Sequence, residues 1–337
     1  MERSRPVTCR GLLLLMTVLF LVPGPAAVAQ NVKDDFRFGY TTADPEEGAD
    51  SNAYQLGYSH YFEALRSETD LPFNYEFFFS HPSSIAFNLS RLDSLLDSPV
   101  SDLTYNNDHL IGEWFFKERL GLLFSLERIE NSLACRHEAG SPLFCGFAGT
   151  PVLSRLTHQT ILVPSVGMQH FYAANGAWSV QYFYTSVRGD HFIDFFGTPA
   201  IAFDQQDTFH GVRGEWTHIW AKRFRLSLSG FTNVASTPPS QGIFPSPTSQ
   251  IPGTFFKNRG GKSEFELAFS RRQSAQLTYS RNDAKDTDDK RTAYGGSYIV
   301  YFNRRATLLL YYGRVEDDSD TGTVKTNEAQ VSVRFAK

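Results

Sequence analysis

The feature that most constrains the fold is a repeated alternation of polar and apolar residues with connections of unequal length. In the closing stretch 326–337, apolar Ala329, Val331, Val333 and Phe335 alternate with polar residues, the period of a two-faced β-strand. Five pairs of such stretches are joined by short turns, whereas the connections between pairs are long. The long connections are 131–156, 189–207, 232–262, 282–291 and 315–326. Transmembrane β-barrels segregate short turns and long loops in this way, and a sandwich has no reason to.

The number of strands follows from a parity argument. Three more stretches, 35–43, 53–62 and 73–80, precede the paired ones. With the five pairs and the closing stretch they make about fourteen strands. An even number brings both termini to the same end of a barrel. We do not count "SIAFNLSRL" as a strand, because it would break this parity, and "RLDSLLDS" after it is interpreted as a short helix. The sequence therefore predicts an all-β fold, a transmembrane antiparallel up-and-down β-barrel of about 14 strands, with 12 or 16 as alternatives.

The start of the chain has the pattern of a secretory signal peptide. Three arginines precede the apolar run "GLLLLMTVLFLV", and Ala27 and Ala29 provide small residues at a cleavage site. The run is too short for a helix that spans a membrane. We expect residues 1–29 to be a signal peptide and residues 30–337 to form the barrel. A formal net charge of −4 gives no indication of nucleic-acid binding.

Alternation also assigns the faces of each strand. The residues predicted to face lipid are mostly aromatic: Phe36, Phe38, Tyr40, Phe73, Tyr75, Phe77, Phe79, Phe265, Leu267, Phe269, Leu308, Leu310, Tyr312, Val331, Val333 and Phe335. The residues predicted to line the lumen are charged: Arg37, Glu76, Glu113, Glu127, Arg213, Glu215, Arg223, Arg225, Glu264, Glu266 and Arg334. Thirty Phe and fifteen Tyr suit the aromatic girdles of such a barrel. The opposed charges predict a transverse field across the lumen.

Across residues 30–337 the chain resembles the porin-like β-barrels of the Gram-negative outer membrane. In that class the last strand commonly ends on an aromatic residue, and "VSVRF" matches this at Phe335, although Ala336 and Lys337 follow. The resemblance implies a place in the bacterial outer membrane and recognition by the barrel-assembly machinery. Outer-membrane lipid and lipopolysaccharide are the expected surroundings.

Two cysteines lie in one predicted outer loop. Cys135 and Cys145 enclose "RHEAGSPLF", and in an oxidising envelope we expect them to form a disulfide. His137 and Glu138 between them have no recognised metal-ligand spacing, so no metal site or cofactor is predicted.

Three functions fit this pattern. The first is a passive channel for small hydrophilic solutes, because a barrel of this size can leave a narrow aqueous path. The second is a lipid-modifying hydrolase in which His81 would act as base and Ser83 as nucleophile near the outer rim. The third is a closed barrel with a structural or adhesive role. We predict the channel and no enzymatic activity.

Overall fold

A computed structural model describes most of the chain from Lys33 onward. The described residues are 33–45, 51–63, 75–96, 101–117, 119–136, 152–195, 201–235, 258–284, 289–303, 306–319 and 322–336. In these ranges, no helix has the length and hydrophobicity needed to cross a membrane.

Fourteen antiparallel strands form one closed barrel in which each strand pairs with its neighbours in the chain and β1 pairs with β14. Their bounds are β1 Asp34–Pro45, β2 Ser51–Tyr61, β3 Ser84–Leu96, β4 Ser101–Lys117, β5 Leu120–Arg136, β6 Val152–Ala173, β7 Gly176–Phe195, β8 Ile201–Trp220, β9 Phe224–Ala235, β10 Asn258–Ser270, β11 Gln273–Ala284, β12 Lys290–Tyr301, β13 Ala306–Ser319 and β14 Gly322–Ala336. The predicted all-β up-and-down barrel of fourteen strands is confirmed. We call the end where β1 begins and β14 ends the terminal end, and the opposite end the far end.

Two local predictions were wrong. One removes a predicted strand and the other adds a strand, so the total of fourteen is unchanged. The predicted strand 73–80 is not found in its described part, because Tyr75 lies in a turn and Glu76–Ser80 forms the short helix α1; residues 73 and 74 lie outside the described residues. The third strand is β3, which includes "SIAFNLSRL" and most of the predicted helix after it. The physical reason is visible in the residues. Three consecutive phenylalanines in "EFFFS" interrupt the alternation that a two-faced strand needs, whereas Ile85, Phe87 and Leu89 keep it.

Strands also continue into the predicted long connections. β7 ends at Phe195 and β8 begins at Ile201, so most of 189–207 is strand. β13 ends at Ser319 and β14 begins at Gly322. The wall is uneven: β6 has 22 residues, whereas β11 and β12 have 12 each. Strands that extend beyond an apolar band need polar residues on their outer face. Their backbone N–H and C=O groups are already hydrogen-bonded to the neighbouring strands.

The outer face is apolar and exposed. Leu277 and Tyr312, for example, are 64% and 63% accessible on this face. The four tryptophans of the chain all lie on it near the terminal end, at Trp114, Trp178, Trp216 and Trp220. Tryptophan is enriched where a membrane meets water, and so large an exposed apolar surface is unusual for a soluble protein. The exterior is therefore suited to lipid.

Candidate functional site

The inner face of the barrel is the candidate site. By strand register, nine of the charged residues predicted for the lumen lie on this face: Arg37, Glu113, Glu127, Arg213, Glu215, Arg225, Glu264, Glu266 and Arg334. Two do not lie on strands. Glu76 belongs to α1, and Arg223 is an exposed residue of the β8–β9 turn, where Ala221 and Lys222 have positive φ. Period-two reasoning fails at these two positions because it applies only within a strand.

An ion cluster around one buried carboxylate joins the first and last strands. Asp35 of β1 is fully buried. Its Oδ2 lies 2.8 Å from Nε of Arg334 on β14 and 3.0 Å from Nη2 of Arg37. The hydroxyl of Tyr61 on β2 donates to the same oxygen at 3.4 Å. Sequence reasoning missed Asp35, although it shares the inner parity of Arg37 in β1.

A second ion pair with a buried carboxylate joins the adjacent strands β9 and β10 on the inner face. Glu266 is fully buried, and its Oε2 lies 3.0 Å from Nη2 of Arg225. The predicted transverse field was wrong. Arg213 and Arg225 lie on β8 and β9 and Glu264 and Glu266 on β10, so these charges share one part of the wall and do not face each other.

The connection between β2 and β3 enters the terminal end of the barrel, and we call its residues Tyr75–Ser83 the inner plug. Tyr75 is fully buried, and its hydroxyl donates to the backbone oxygen of Arg223 at 3.3 Å. Burial raises the pKa of the Tyr75 hydroxyl, and the nearby carboxylate of Glu266 raises it further. The phenol therefore stays a neutral donor that anchors the plug to the β8–β9 turn.

The other side of the inner plug packs against β4 and β6 at the terminal end of the barrel. The His81 and Phe78 rings lie 3.6 Å and 5.3 Å from the ring of Phe171, measured between centroids. The Ser83 hydroxyl accepts a hydrogen bond from the Phe115 backbone N–H at 3.1 Å. The plug therefore crosses part of the terminal mouth. Sequence reasoning missed it, and the unalternated aromatic run around α1 was the available signal.

The residues considered for catalysis are part of this plug. His81 ends α1 in a left-handed conformation with φ 45°, and Ser83 is buried beneath β4. They lie at the terminal end, beside the short turns, whereas the hydrolase site was expected at the end of the long loops. Cys145 lies outside the described residues, so the disulfide with Cys135 stays a prediction. The described part of the chain holds no group of three or more His, Cys, Asp or Glu side chains placed for a metal ion.

The middle of the inner face is polar. Asn107 donates to Glu127 at 2.7 Å and Gln276 donates to Glu264 at 3.1 Å, which links β4 to β5 and β11 to β10. A cavity of about 280 Å³ lies against this face. Its lining includes Arg37, Gly39, Gln55, Asn107, His109 and Ser332. Side chains that both donate and accept hydrogen bonds suit water and small polar solutes.

Toward the far end, the inner face of the long strands is mixed, and a small apolar cluster lies among buried polar residues such as Asn131, Gln159 and Asp207. Ile129, Ile161, Val187 and Phe209, on β5 to β8, form a buried cluster against which Tyr105 and Val163 pack. Most of their outer neighbours, such as Arg128, Thr160 and Arg188, are polar, so period-two alternation was the available signal for this cluster.

Comparisons with solved structures agree on the architecture. The CymD monoaromatic hydrocarbon channel aligns with a TM-score of 0.56 and 7% identity over 100% of this chain and 95% of that one. The Ralstonia pickettii toluene transporter TbuX aligns with a TM-score of 0.54 and 10% identity over 91% and 90% of the two chains. The chain has the fold of these channels. The Pseudomonas putida toluene transporter TodX aligns similarly, with a TM-score of 0.51 and 10% identity over 93% and 90%. No protein-family model and no curated protein matches the sequence.

Proposed function

We propose that the protein is a passive channel for small solutes in the bacterial outer membrane. The observation that carries the proposal is a closed barrel of fourteen strands with an exposed apolar exterior and a polar inner face. A barrel of this construction exposes to water only its interior and its two mouths. The solved structures of similar fold are described as channels or transporters, which supports the same function.

The barrel convention also supports an orientation. Short turns and both termini belong on the periplasmic side, so the terminal end faces the periplasm and the far end faces the outside. The expected partners are outer-membrane lipid, lipopolysaccharide, and an assembly machinery that recognises the last strand at Phe335. A signal peptide of residues 1–29 and a Cys135–Cys145 disulfide complete this proposal.

Two solute classes are supported by different observations. The polar middle, with Arg37, Asn107 and Glu127, favours the small hydrophilic solutes expected from the sequence. Hydrophobic solutes are a second candidate. The similar structures described as channels for monoaromatic hydrocarbons or toluene support this second class.

The inner plug decides between a channel and a closed structural barrel. A passive channel requires a path past Tyr75 and α1, or movement of the plug. Such movement has to break the hydrogen bond from Tyr75 to the Arg223 oxygen and the packing of Phe78 and His81 on Phe171. The hydrolase alternative receives no support from the packing of His81 and Ser83 in the plug.

Planar-bilayer recording of the refolded protein tests the proposal. We expect discrete conductance steps, and absence of steps at every voltage would refute the channel. Arg213 provides the charge test, because its side chain lies on the inner face with Nη2 2.5 Å from Oε1 of Gln181. Arg213→Gln should shift the reversal potential in a salt gradient toward cation preference, while the matched outer-face change Arg259→Gln should leave it unchanged.

A second assay separates the solute classes. Vesicle swelling with small sugars and uptake of toluene are each measured for vesicles that contain the protein and for protein-free vesicles. Toluene uptake faster than in protein-free vesicles, without swelling, supports hydrophobic solutes. Swelling without any acceleration of toluene uptake supports hydrophilic ones.

A further inference from the structure

The outer face carries a regular pattern of charge at the far edge of its apolar band. Five strands that run from the terminal end to the far end have an arginine on this face at that edge, and we call these five the arginine girdle: Arg91, Arg128, Arg188, Arg281 and Arg314. Strand register sets the face, since Arg91 pairs with Tyr54 and Arg314 pairs with Tyr294, both exposed outer residues.

Each arginine of the girdle comes near the end of the apolar residues on its strand. On four of the strands the preceding outer residue is apolar or aromatic: Leu89, Leu126, Tyr279 and Tyr312. On β7, ten residues separate Trp178 from Arg188, which at about 3.3 Å per residue and a tilt of about 40° corresponds to a height of about 25 Å. That is the height of the apolar band of an outer-membrane barrel. Because arginine side chains reach toward water, the guanidinium groups lie at the level of lipid headgroups.

A carboxylate follows two residues later on all five of these strands, at Asp93, Glu130, Asp190, Asp283 and Glu316. Arg281 Nε lies 2.8 Å from Asp283 Oδ1, and Arg314 Nε lies 3.4 Å from Glu316 Oε1. Arg128 pairs with Glu130 in the same way through Nη2. Exposed ion pairs add little stability, so folding alone does not account for the repetition.

The pairing is compatible with a second anionic ligand. The Arg128 and Arg281 side chains are 51% and 50% exposed, and each contacts its carboxylate through a single nitrogen. A guanidinium carries five N–H donors in a planar fork that matches phosphate oxygens. The carboxylates, which lie nearer the outside, are oxygen ligands of the kind that bind Ca²⁺ and Mg²⁺.

A groove beside Arg91 adds a place for an acyl chain. Its volume is about 530 Å³, and its apolar lining comes from Phe38, Tyr54, Leu56 and Leu89. Arg91 and Asp108 line it as well, one outer position beyond Leu89 and Leu110 on their strands. An apolar floor next to a cation is complementary to an acyl chain joined to a phosphate.

We propose that the arginine girdle and this groove bind a phosphorylated, multiply acylated glycolipid of the outer leaflet, that is, lipopolysaccharide. The arginines contact its phosphates, and the carboxylates hold divalent cations that bridge them. The inference rests on the proposed outer-membrane location. Lipopolysaccharide fits better than a phospholipid, because one molecule with two phosphates and several chains can engage an arginine and the adjoining groove together, and because the girdle lies at the end assigned to the outside.

The test uses the full mature chain, refolded without lipopolysaccharide. Binding of bisphosphorylated lipid A, monophosphoryl lipid A and phosphatidylglycerol is measured with and without Mg²⁺ by native-gel shift. We expect bisphosphorylated lipid A to bind most tightly and Mg²⁺ to strengthen it. The triple variant Arg91→Gln/Arg128→Gln/Arg281→Gln should weaken that binding roughly 30-fold at the groove, from about 1 kcal/mol for each of Arg91 and Arg128, because Arg281 on β11 lies six strands from β3 and contacts a separate lipid. Arg213→Gln on the inner face is the matched control and should bind lipid A normally.

Equal binding of phosphatidylglycerol and lipid A would overturn the choice of ligand, and undiminished binding by the triple variant would overturn the site. If the triple variant does not fold, the single change Arg128→Gln and the three-lipid comparison on the original protein decide the same question. Conductance is recorded from the same preparations. A protein that binds lipid A without conducting refutes the channel and leaves this inference standing, and one that conducts without binding does the reverse.

Discussion

Leu277 offers the sharpest test of whether the exterior of the barrel meets lipid. It lies in the middle of β11, 64% exposed, and pairs with Phe265 of β10 and Gly296 of β12. In a protein whose exterior meets water, arginine at so exposed a position would change the free energy of unfolding by no more than about 0.5 kcal/mol. In a bilayer, arginine near the midplane destabilises a barrel by about 2–4 kcal/mol. Leu277→Arg therefore separates the two environments.

The neighbouring residue provides the control. Gln276 lies on the inner face, where its Nε2 donates to Glu264 Oε1 at 3.1 Å. Gln276→Arg replaces this amide with a guanidinium beside a carboxylate, in polar surroundings that already include Lys262 paired with Glu264 at 2.6 Å. We expect it to fold like the original protein, because charge on the inner face is not transferred into lipid.

Both variants are refolded into phospholipid vesicles and titrated with urea, with folded protein quantified by heat-modifiable gel mobility. A loss of about 2–4 kcal/mol corresponds to roughly 30- to 1000-fold in the folding equilibrium, at 1.4 kcal/mol per tenfold. Leu277→Arg should therefore unfold at clearly lower urea than Gln276→Arg. Coincident unfolding of both variants and the original protein would refute the assignment of this face to lipid.

The same reasoning applies to the last strand. Val331→Arg should impair assembly, whereas Ser332→Arg on the inner face should assemble and at most alter conductance. Equal heat-modifiable gel mobility of the two variants would contradict this prediction. Tyr75→Phe should destabilise the inner plug by about 1 kcal/mol, since the Arg223 oxygen keeps its bond from a backbone N–H. Bilayer recordings should then show more frequent openings, and unchanged gating would argue against a movable plug. Trypsin added to intact cells should spare Arg271 in the short β10–β11 turn, so cleavage there would reverse the proposed orientation.

The alternation of the sequence was sufficient for much of the architecture. A period of two assigns faces within any one strand, and this is why Phe36 and Phe38 lie outside while Arg37 lies inside. Short turns and even parity then imply antiparallel neighbours and a closed barrel. These are local properties, so they needed no knowledge of what each strand contacts.

The candidate site depended on contacts between distant segments, which alternation does not encode. Asp35 meets Arg334 only because the barrel closes β1 on β14, a separation of nearly the whole chain. Tyr75 reaches Arg223 only because a connection that was expected to continue as a strand turns inward instead. The sequence by itself determined which side chains would avoid water and which would seek it. The tertiary structure decided which charges neutralise one another and where the lumen is obstructed, because those outcomes depend on barrel closure and on how the β2–β3 connection packs.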